Sequence, residues 1–348
     1  MKFIKKHKII TTVLVVIILI ITVSFATAYH FLNKINYDDG GTFIETAPTA
    51  EVSTEESDIL NSGSLSDSEK QSLSVADKSI GQNLDNSQIW YSSDVLNILL
   101  MGIDYGGKAY PYGRSDAMIV LSINKVSKKI HLVSLSRAAY VAIKGYNNTR
   151  LNHAHGYGGA PLAVSTVESN YKIRIDNYAS VTFDSFEKII DALGGVKINL
   201  TAAEARVLNR KYGKFPSAGT YSLNGNQALE YVRIRKIDTD KERTSRQRKL
   251  LLSISQKIKS MNLSSVGGIL NTVLPLVTTD FSKSDILKQA ANLSGYLDWD
   301  ISQAIVPHKS SSLVLRGGFE VLLVNWQDEV KYVHDLLYNN ADVKYDAA

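Results

Sequence analysis

Residues 9–29, IITTVLVVIILIITVSFATAY, form a run of twenty-one residues without a charge, and no other feature constrains this chain as much. At 1.5 Å rise per residue a helix of that length measures about 31 Å, the thickness of a bilayer's hydrocarbon core. A segment apolar on every face does not suit the surface of a soluble domain. Lys2, Lys5, Lys6 and Lys8 stand just before it, and basic residues beside a span stay on the cytoplasmic side. The expectation is a cytoplasmic tail over 1–8, a transmembrane anchor over 9–29 and an extracellular remainder: a single-pass cell-membrane protein. A cleaved signal peptide is the competing reading, because Ala26-Thr27-Ala28 fits a small-residue cleavage site. The run is longer than the usual apolar core of such a peptide, about 7–15 residues.

Beyond the anchor the charge is uneven. Residues 37–90 carry eleven acids and two lysines. The stretch is rich in Ser, Asp, Glu, Asn and Thr, with too few large apolar residues to offset the entropy of ordering. Residues 30–88 therefore read as an acidic, Ser-rich stalk, flexible or partly helical. From residue 91 onward 32 basic residues face 23 acidic ones, a surplus of +9. Such a surplus calls for an anionic partner. The chain has no cysteine, which excludes disulfides, thiolate metal sites and cysteine nucleophiles.

A globular region is expected over 89–340, with a short tail over 341–348. VLNILLMGID (95–104) is an apolar run ending in Gly and Asp, the pattern of a buried strand. Further strands are expected over 117–124, 129–136, 178–183, 196–200 and 303–308. Helices are expected over 160–171, 185–195, 244–261, 282–297 and 325–338. In SFEKIIDALGG (185–195), Phe186, Ile189, Ile190 and Leu193 share one face before Gly194-Gly195 stops the helix. This alternation predicts an α/β class: a layered α/β/α domain around a central mixed sheet.

Four clusters carry chemistry. Asp104 ends the first strand, where open α/β sheets bind ligands. Arg114 and Asp116 precede the next strand, and Arg137 ends the one after. Then come Arg233, Arg235, Arg243, Arg246 and Gln247. Two carboxylates with open water positions suit Mg²⁺, which takes few protein ligands plus phosphate oxygens. Arginine forks hold phosphate oxygens and offset charge on a leaving phosphate. Each cluster also has a plainer reading: Asp104 alone as a turn or cap residue, and Arg233 with Arg235 as the solvated face of a strand-like segment. The basic run 241–249 has no interleaved aromatics, which argues against nucleic acid. His153 and His155 lack a third ligand nearby, and no G-x-S-x-G, Walker or HExxH motif occurs.

Together these clusters resemble the LytR-CpsA-Psr family of cell-wall glycopolymer ligases. The matching stretches are NILLMGID (97–104), GRSDAMIVLSIN (113–124), VSLSR (133–137), NTRLNHAHGYGG (148–159), TVESNYKIRIDNY (166–178), the segments within 181–196, and LNGNQALEYVRIRKIDTDKERTSRQRKLL (223–251). The resemblance implies Asp104 and Asp116 as ligands of Mg²⁺ (or Mn²⁺). It implies Arg114, Arg137, Arg233, Arg235, Arg243 and Arg246 around a pyrophosphate, with Gln247 in the family's Arg-Gln pair. Arg137, Asp104 and Asp116 would be the catalytic group. It further implies an apolar tunnel for an isoprenoid tail between sheet and helices. The implied reaction moves an anionic glycopolymer from a polyprenyl-pyrophosphate carrier to peptidoglycan. Hydrolysis of the same carrier, or non-catalytic binding and regulation at the envelope, are the alternatives. One departure stands out: the family usually has Arg-Asp after the third strand, whereas Arg137 is followed here by Ala138. A substitute acid is expected in Asp238 or Asp240.

Overall fold

A computed structural model describes residues 29–38, 65–105, 110–235, 237, 239–261, 263–296, 299–315 and 318–347. Its strands in chain order are β1 (Asn36–Tyr37), β2 (Gln88–Tyr91), β3 (Val95–Asp104), β4 (Arg114–Asn124), β5 (Lys129–Leu135), β6 (Tyr140–Val141), β7 (Thr149–Arg150), β8 (Asn177–Thr182), β9 (Val196–Leu200), β10 (Gly219–Leu223), β11 (Thr278–Thr279), β12 (Asp300–Val306), β13 (Ser310–Leu315), β14 (Phe319–Val324) and β15 (Lys344–Ala347). Helices are α1 (Asp67–Asp85), α2 (His153–Tyr171), α3 (Phe183–Ala192), α4 (Ala202–Tyr212), α5 (Gly225–Arg233), α6 (Asp240–Lys259), α7 (Leu263–Val273), α8 (Lys283–Tyr296) and α9 (Trp326–Leu337).

A seven-stranded sheet in the order β1-β11-β8-β3-β4-β5-β12 organises the domain. It is mixed: β3 runs antiparallel to β4 and parallel to β8, and β5 runs parallel to β12. Alternation along β3 divides its side chains between two faces. Leu99, Met101 and Ile103 enter a core shared with α1, α2 and α9. Leu100 and Gly102 look the other way, toward α3, α5 and α6. The layered arrangement with helices on both faces is the one the alternation of elements predicts. Val196–Leu200 occupies the span expected of it. The expected helix 160–171 is also present, but a separate turn precedes it, and the backbone breaks at Gly158-Gly159, where Gly159 takes φ +66°.

The stalk needs correcting. Residues 67–85 form α1, with a capping box between Ser66 and Glu69, and Leu73, Ala76 and Ile80 are buried in the main core. Residues 36–37 add an edge strand to the sheet. The tail expected over 341–348 instead holds β15, paired with β2. The acidic stretch is thus cut short at both ends by pieces of the folded domain, and residues 39–64 lie outside the described structure. Residues 9–28, which hold nearly all of the expected anchor, also lie outside it. Among the described residues no helix is long and apolar enough to cross a membrane.

Candidate functional site

The site forms where the sheet's two central strands meet the starts of α6 and the end of α5. β3 and β4 pair so that Asp104 faces Arg114, with a register shift at Gly102/Ile103. Gly113, at φ +73°, makes the turn into β4; a Cβ there would lie 2.8 Å from Ile103 and 2.9 Å from the Asp104 carbonyl. His155 Nδ1 bonds the Gly113 carbonyl at 2.8 Å, so this histidine pins the turn.

Asp116 is the centre of the charge network. Arg137 Nη1 donates to its Oδ1 at 3.1 Å, Arg235 Nη2 to its Oδ2 at 3.0 Å, and Asn152 Nδ2 to Oδ1 at 3.3 Å. Burial pushes the Asp116 carboxyl up, but Arg137, Arg235, Arg243 and Arg114 outweigh it and hold the group below the usual carboxylate range. Arg243 Nη2 lies 2.8 Å from Asp240, and its Nε is buried with no hydrogen-bond partner among the described residues. Burial and the charge of Arg137 lower its pKa to about 10, with Asp240 opposing, so it stays a cation at neutral pH. Burial, followed by the charge of Arg137, also lowers that of Arg235. Arg233 stands 3.8 Å from Asp104 and over the ring of Phe183, while Arg114 lies over Tyr110.

The segment around Arg233 and Arg235 is not strand-like. Arg233 is the last residue of α5, and the chain turns at Ile234 before α6. Nor is Arg246 with the others: its Nη2 bonds the Ile234 carbonyl at 2.6 Å and its Nη1 faces Glu204 at 3.6 Å. Arg246 thereby fixes the turn that presents Arg233 and Arg235. Helix α6 starts at Asp240, earlier than the expected 244, because Thr239 and Glu242 form a capping box. That start brings Asp240 within 3.7 Å of Arg137 Nε. An acid thus reaches Arg137 from another element, while Ala138 is buried and its carbonyl pairs with Leu322. Asp238 lies outside the described residues.

Five residues at the site have no sequence pattern that marks them as functional. Asn152 lies in a quoted motif but has no distinctive spacing. Phe183, Phe186, Leu229 and Val232 line a pocket of about 260 Å³ between the sheet and α3, α5 and α6. Asp116, Arg233, Arg235, Arg243 and Gln247 contribute its polar lining; nearly all the rest is apolar. Among the described residues no group of three His, Asp or Glu side chains converges. Asp104 and Asp116 are hard oxygen donors, and a divalent cation held by them would take its remaining ligands from water and phosphate.

An apolar pocket opening on an arginine-ringed carboxylate has the chemistry to receive an amphiphile with an anionic head. The chain belongs to the LytR_cpsA_psr family, whose profile matches residues 58–332. It is 38% identical over 206 residues to polyisoprenyl-teichoic acid–peptidoglycan teichoic acid transferase TagU of Enterococcus faecalis, covering 57% of this chain and 66% of that protein. It is 36% identical over 175 residues to the corresponding TagT of Bacillus subtilis, covering 49% and 54%. The matched stretches thus span less than two-thirds of these relatives. Among solved structures, B. subtilis TagT superposes with a TM-score of 0.56 at 29% identity, covering 70% of this chain and 91% of that one. TagT with bound octaprenyl pyrophosphate lipid gives 0.54 at 27% identity, covering 71% and 91%.

Proposed function

We propose that this chain transfers an anionic glycopolymer from a polyprenyl-pyrophosphate carrier to a peptidoglycan sugar hydroxyl. The observation that carries the reading is Asp116 held by Arg137 and Arg235 at the opening of an apolar pocket. The prenyl tail fills the pocket, and the pyrophosphate meets Arg233, Arg235, Arg243 and Gln247 beside it. The names of the TagU and TagT relatives and the lipid bound to TagT support this assignment. The acceptor oxygen attacks the phosphorus nearer the polymer, the bond to the bridging oxygen breaks, and polyprenyl phosphate leaves. The hydroxyl proton passes to solvent. Asp116 is a weak base here, because the arginines hold its carboxyl down. Arg137 and Arg243 offset charge on the transferring phosphate, the main term in such reactions. Asp104 and Asp116 would hold Mg²⁺ or Mn²⁺, which supplies further charge neutralisation. The sequence supports an N-terminal membrane anchor with the domain outside the cell.

The test uses the full chain in vesicles with Mg²⁺, a polyprenyl-pyrophosphate glycan and peptidoglycan fragments. Polymer joined to peptidoglycan, lost on chelation and restored by Mg²⁺, is the expected result. Free phosphorylated glycan as the sole product would replace transfer with hydrolysis. Binding without turnover, unchanged in Arg137→Ala, would make the protein a retention or regulatory factor.

A further inference from the structure

The β1 edge of the sheet is bound closely to a second uncharged stretch. Residues 260–279 contain no charged side chain. Within them α7 has 11 residues, about 16 Å of helix and too short to span a bilayer. A 3-10 turn, Leu274–Leu276, and β11 follow it. Ile269, Leu270, Val273, Leu274, Leu276 and Val277 are all half-buried, an apolar strip that the fold only partly covers.

The first described residues are fastened to this strip. β1 pairs in parallel with β11. Lys34 Nζ bonds Asn271 Oδ1 at 2.7 Å, and Asn36 Nδ2 bonds the Pro275 carbonyl at 2.7 Å. Lys283 Nζ lies over the rings of Tyr29 and Tyr37 and bonds Asn33. Leu32 and Ile35 are buried. The uncharged run 9–29 ends at Tyr29, only seven residues before β1 begins. If that run spans a bilayer, no slack linker separates the membrane from the sheet edge. Tyr29 is half-exposed, and amphipathic rings with neighbouring lysines are the usual residues of a membrane–water interface.

We propose that α7, the 3-10 turn after it and Tyr29 form a face that rests on the outer surface of the bilayer, and that the prenyl tail enters the pocket through this face. The inference rests on the anchor and carrier readings above. Val277 belongs both to the strip and to the pocket wall. Asp116 is on β4 and Val277 adjoins β11; three strand spacings in the order β11-β8-β3-β4 separate them, about 14 Å at 4.8 Å each. The pocket thus runs across the sheet from its charged opening to the edge nearest the anchor. A tail drawn in there leaves lipid for protein without crossing open water, and its pyrophosphate stays at the arginines.

The chain's lack of cysteine permits single-site labelling. Cysteine is placed singly at Tyr29, Leu270 and Thr272, and at the exposed controls Val126 and Val314. Each full-length variant carries an environment-sensitive dye and is reconstituted in phosphatidylglycerol-containing vesicles. Spin-labelled lipids are expected to quench positions 270 and 272 severalfold more than the controls. Quenching at 29 alone overturns the docking face and leaves the anchor standing; quenching at none of the three overturns both. A second variant, Leu270→Glu, is expected to slow transfer from a vesicle-embedded carrier severalfold and to leave transfer from a soluble short-prenyl carrier unchanged. Equal loss on both carriers, with an unchanged melting temperature, would also overturn the entry route.

Discussion

Arg137→Ala should separate activity from stability. Its guanidinium contacts two carboxylates, Asp116 at 3.1 Å and Asp240 at 3.7 Å. Breaking a buried ion pair usually costs about 3–5 kcal/mol, because the remaining charge is stranded. Neither partner is stranded here. Asp116 keeps Arg235 at 3.0 Å and Asn152 at 3.3 Å, and Asp240 keeps Arg243 at 2.8 Å. Arg137 also repels Arg235 and Arg243, as the lowering of both their pKa values by its charge shows. The lost attraction and the relieved repulsion oppose each other, so the net change should stay within about 1 kcal/mol, a melting shift of about 2–4 °C or less for a domain this size. Turnover should fall much further. Removing one pre-aimed donor from a developing anion costs about 10²–10³ in rate. Initial rates of labelled glycan transfer, with calorimetric melting of the same preparations, test the pair of numbers. A wild-type rate would refute the role of Arg137. A melting drop matching 3–5 kcal/mol, with activity lost only in proportion to folded protein, would refute the network as drawn.

Asp116→Asn probes the same network from its acidic side. Because the folded-state pKa of Asp116 is lowered, its stabilisation is present above the unfolded value of about 3.9 and disappears as pH falls through the folded value. The variant should be less stable at pH 7 and should lack that part of the acid-induced loss; parallel melting-versus-pH curves would contradict the assignment. Val181→Trp fills the pocket wall beside Gly102, and overpacking of about 1–3 kcal/mol translates into roughly 5- to 150-fold weaker use of long prenyl carriers, with short ones spared. Carrier-length dependence of KM reads this directly. Thr239→Ala removes the cap that starts α6 beside Arg137, at about 1 kcal/mol of stability, measurable by thermal melting.

What the sequence made legible was whatever local pattern controls. β3 reads as a buried strand because both its faces are apolar, and three of the four Arg and Asp clusters stand at strand ends, where a sheet collects ligands. α1 escaped because its sequence is polar on average. Its signal is narrower: Leu73, Ala76 and Ile80 at helical spacing behind the Ser66–Glu69 box. β15 escaped because its partner, β2, is far away in sequence. Arg233-Ile234-Arg235 has the alternation of a strand, yet Arg233 closes a helix whose start is fixed by Asn224 and Gln227. Spacing placed Arg246 with Arg243, but only the tertiary fold shows that it turns to Ile234 and Glu204. The pocket residues on α3 and α5 looked like ordinary core, since an apolar helix face is the same whether it meets a sheet or a lipid.

The displaced acid connects these observations. With Ala138 after Arg137, the turn that follows β5 offers the arginine no carboxylate from the next position. Asp240 takes that place from the first turn of α6, and it also pairs with Arg243, three residues on. One carboxylate therefore orients the two guanidiniums nearest the proposed reacting phosphate, and its own position depends on the Thr239 cap. Arg246 stabilises the preceding turn in the same way, leaving Arg233 and Arg235 half-exposed toward an incoming anion. The positive charge of the site is thus held in place from α6 and from the α5–α6 turn, not from the strand ends alone. Movement of α6 would then alter phosphate grip and pocket width together, since Arg243 and Gln247 border the charged opening and Leu250 and Leu251 continue along the pocket wall.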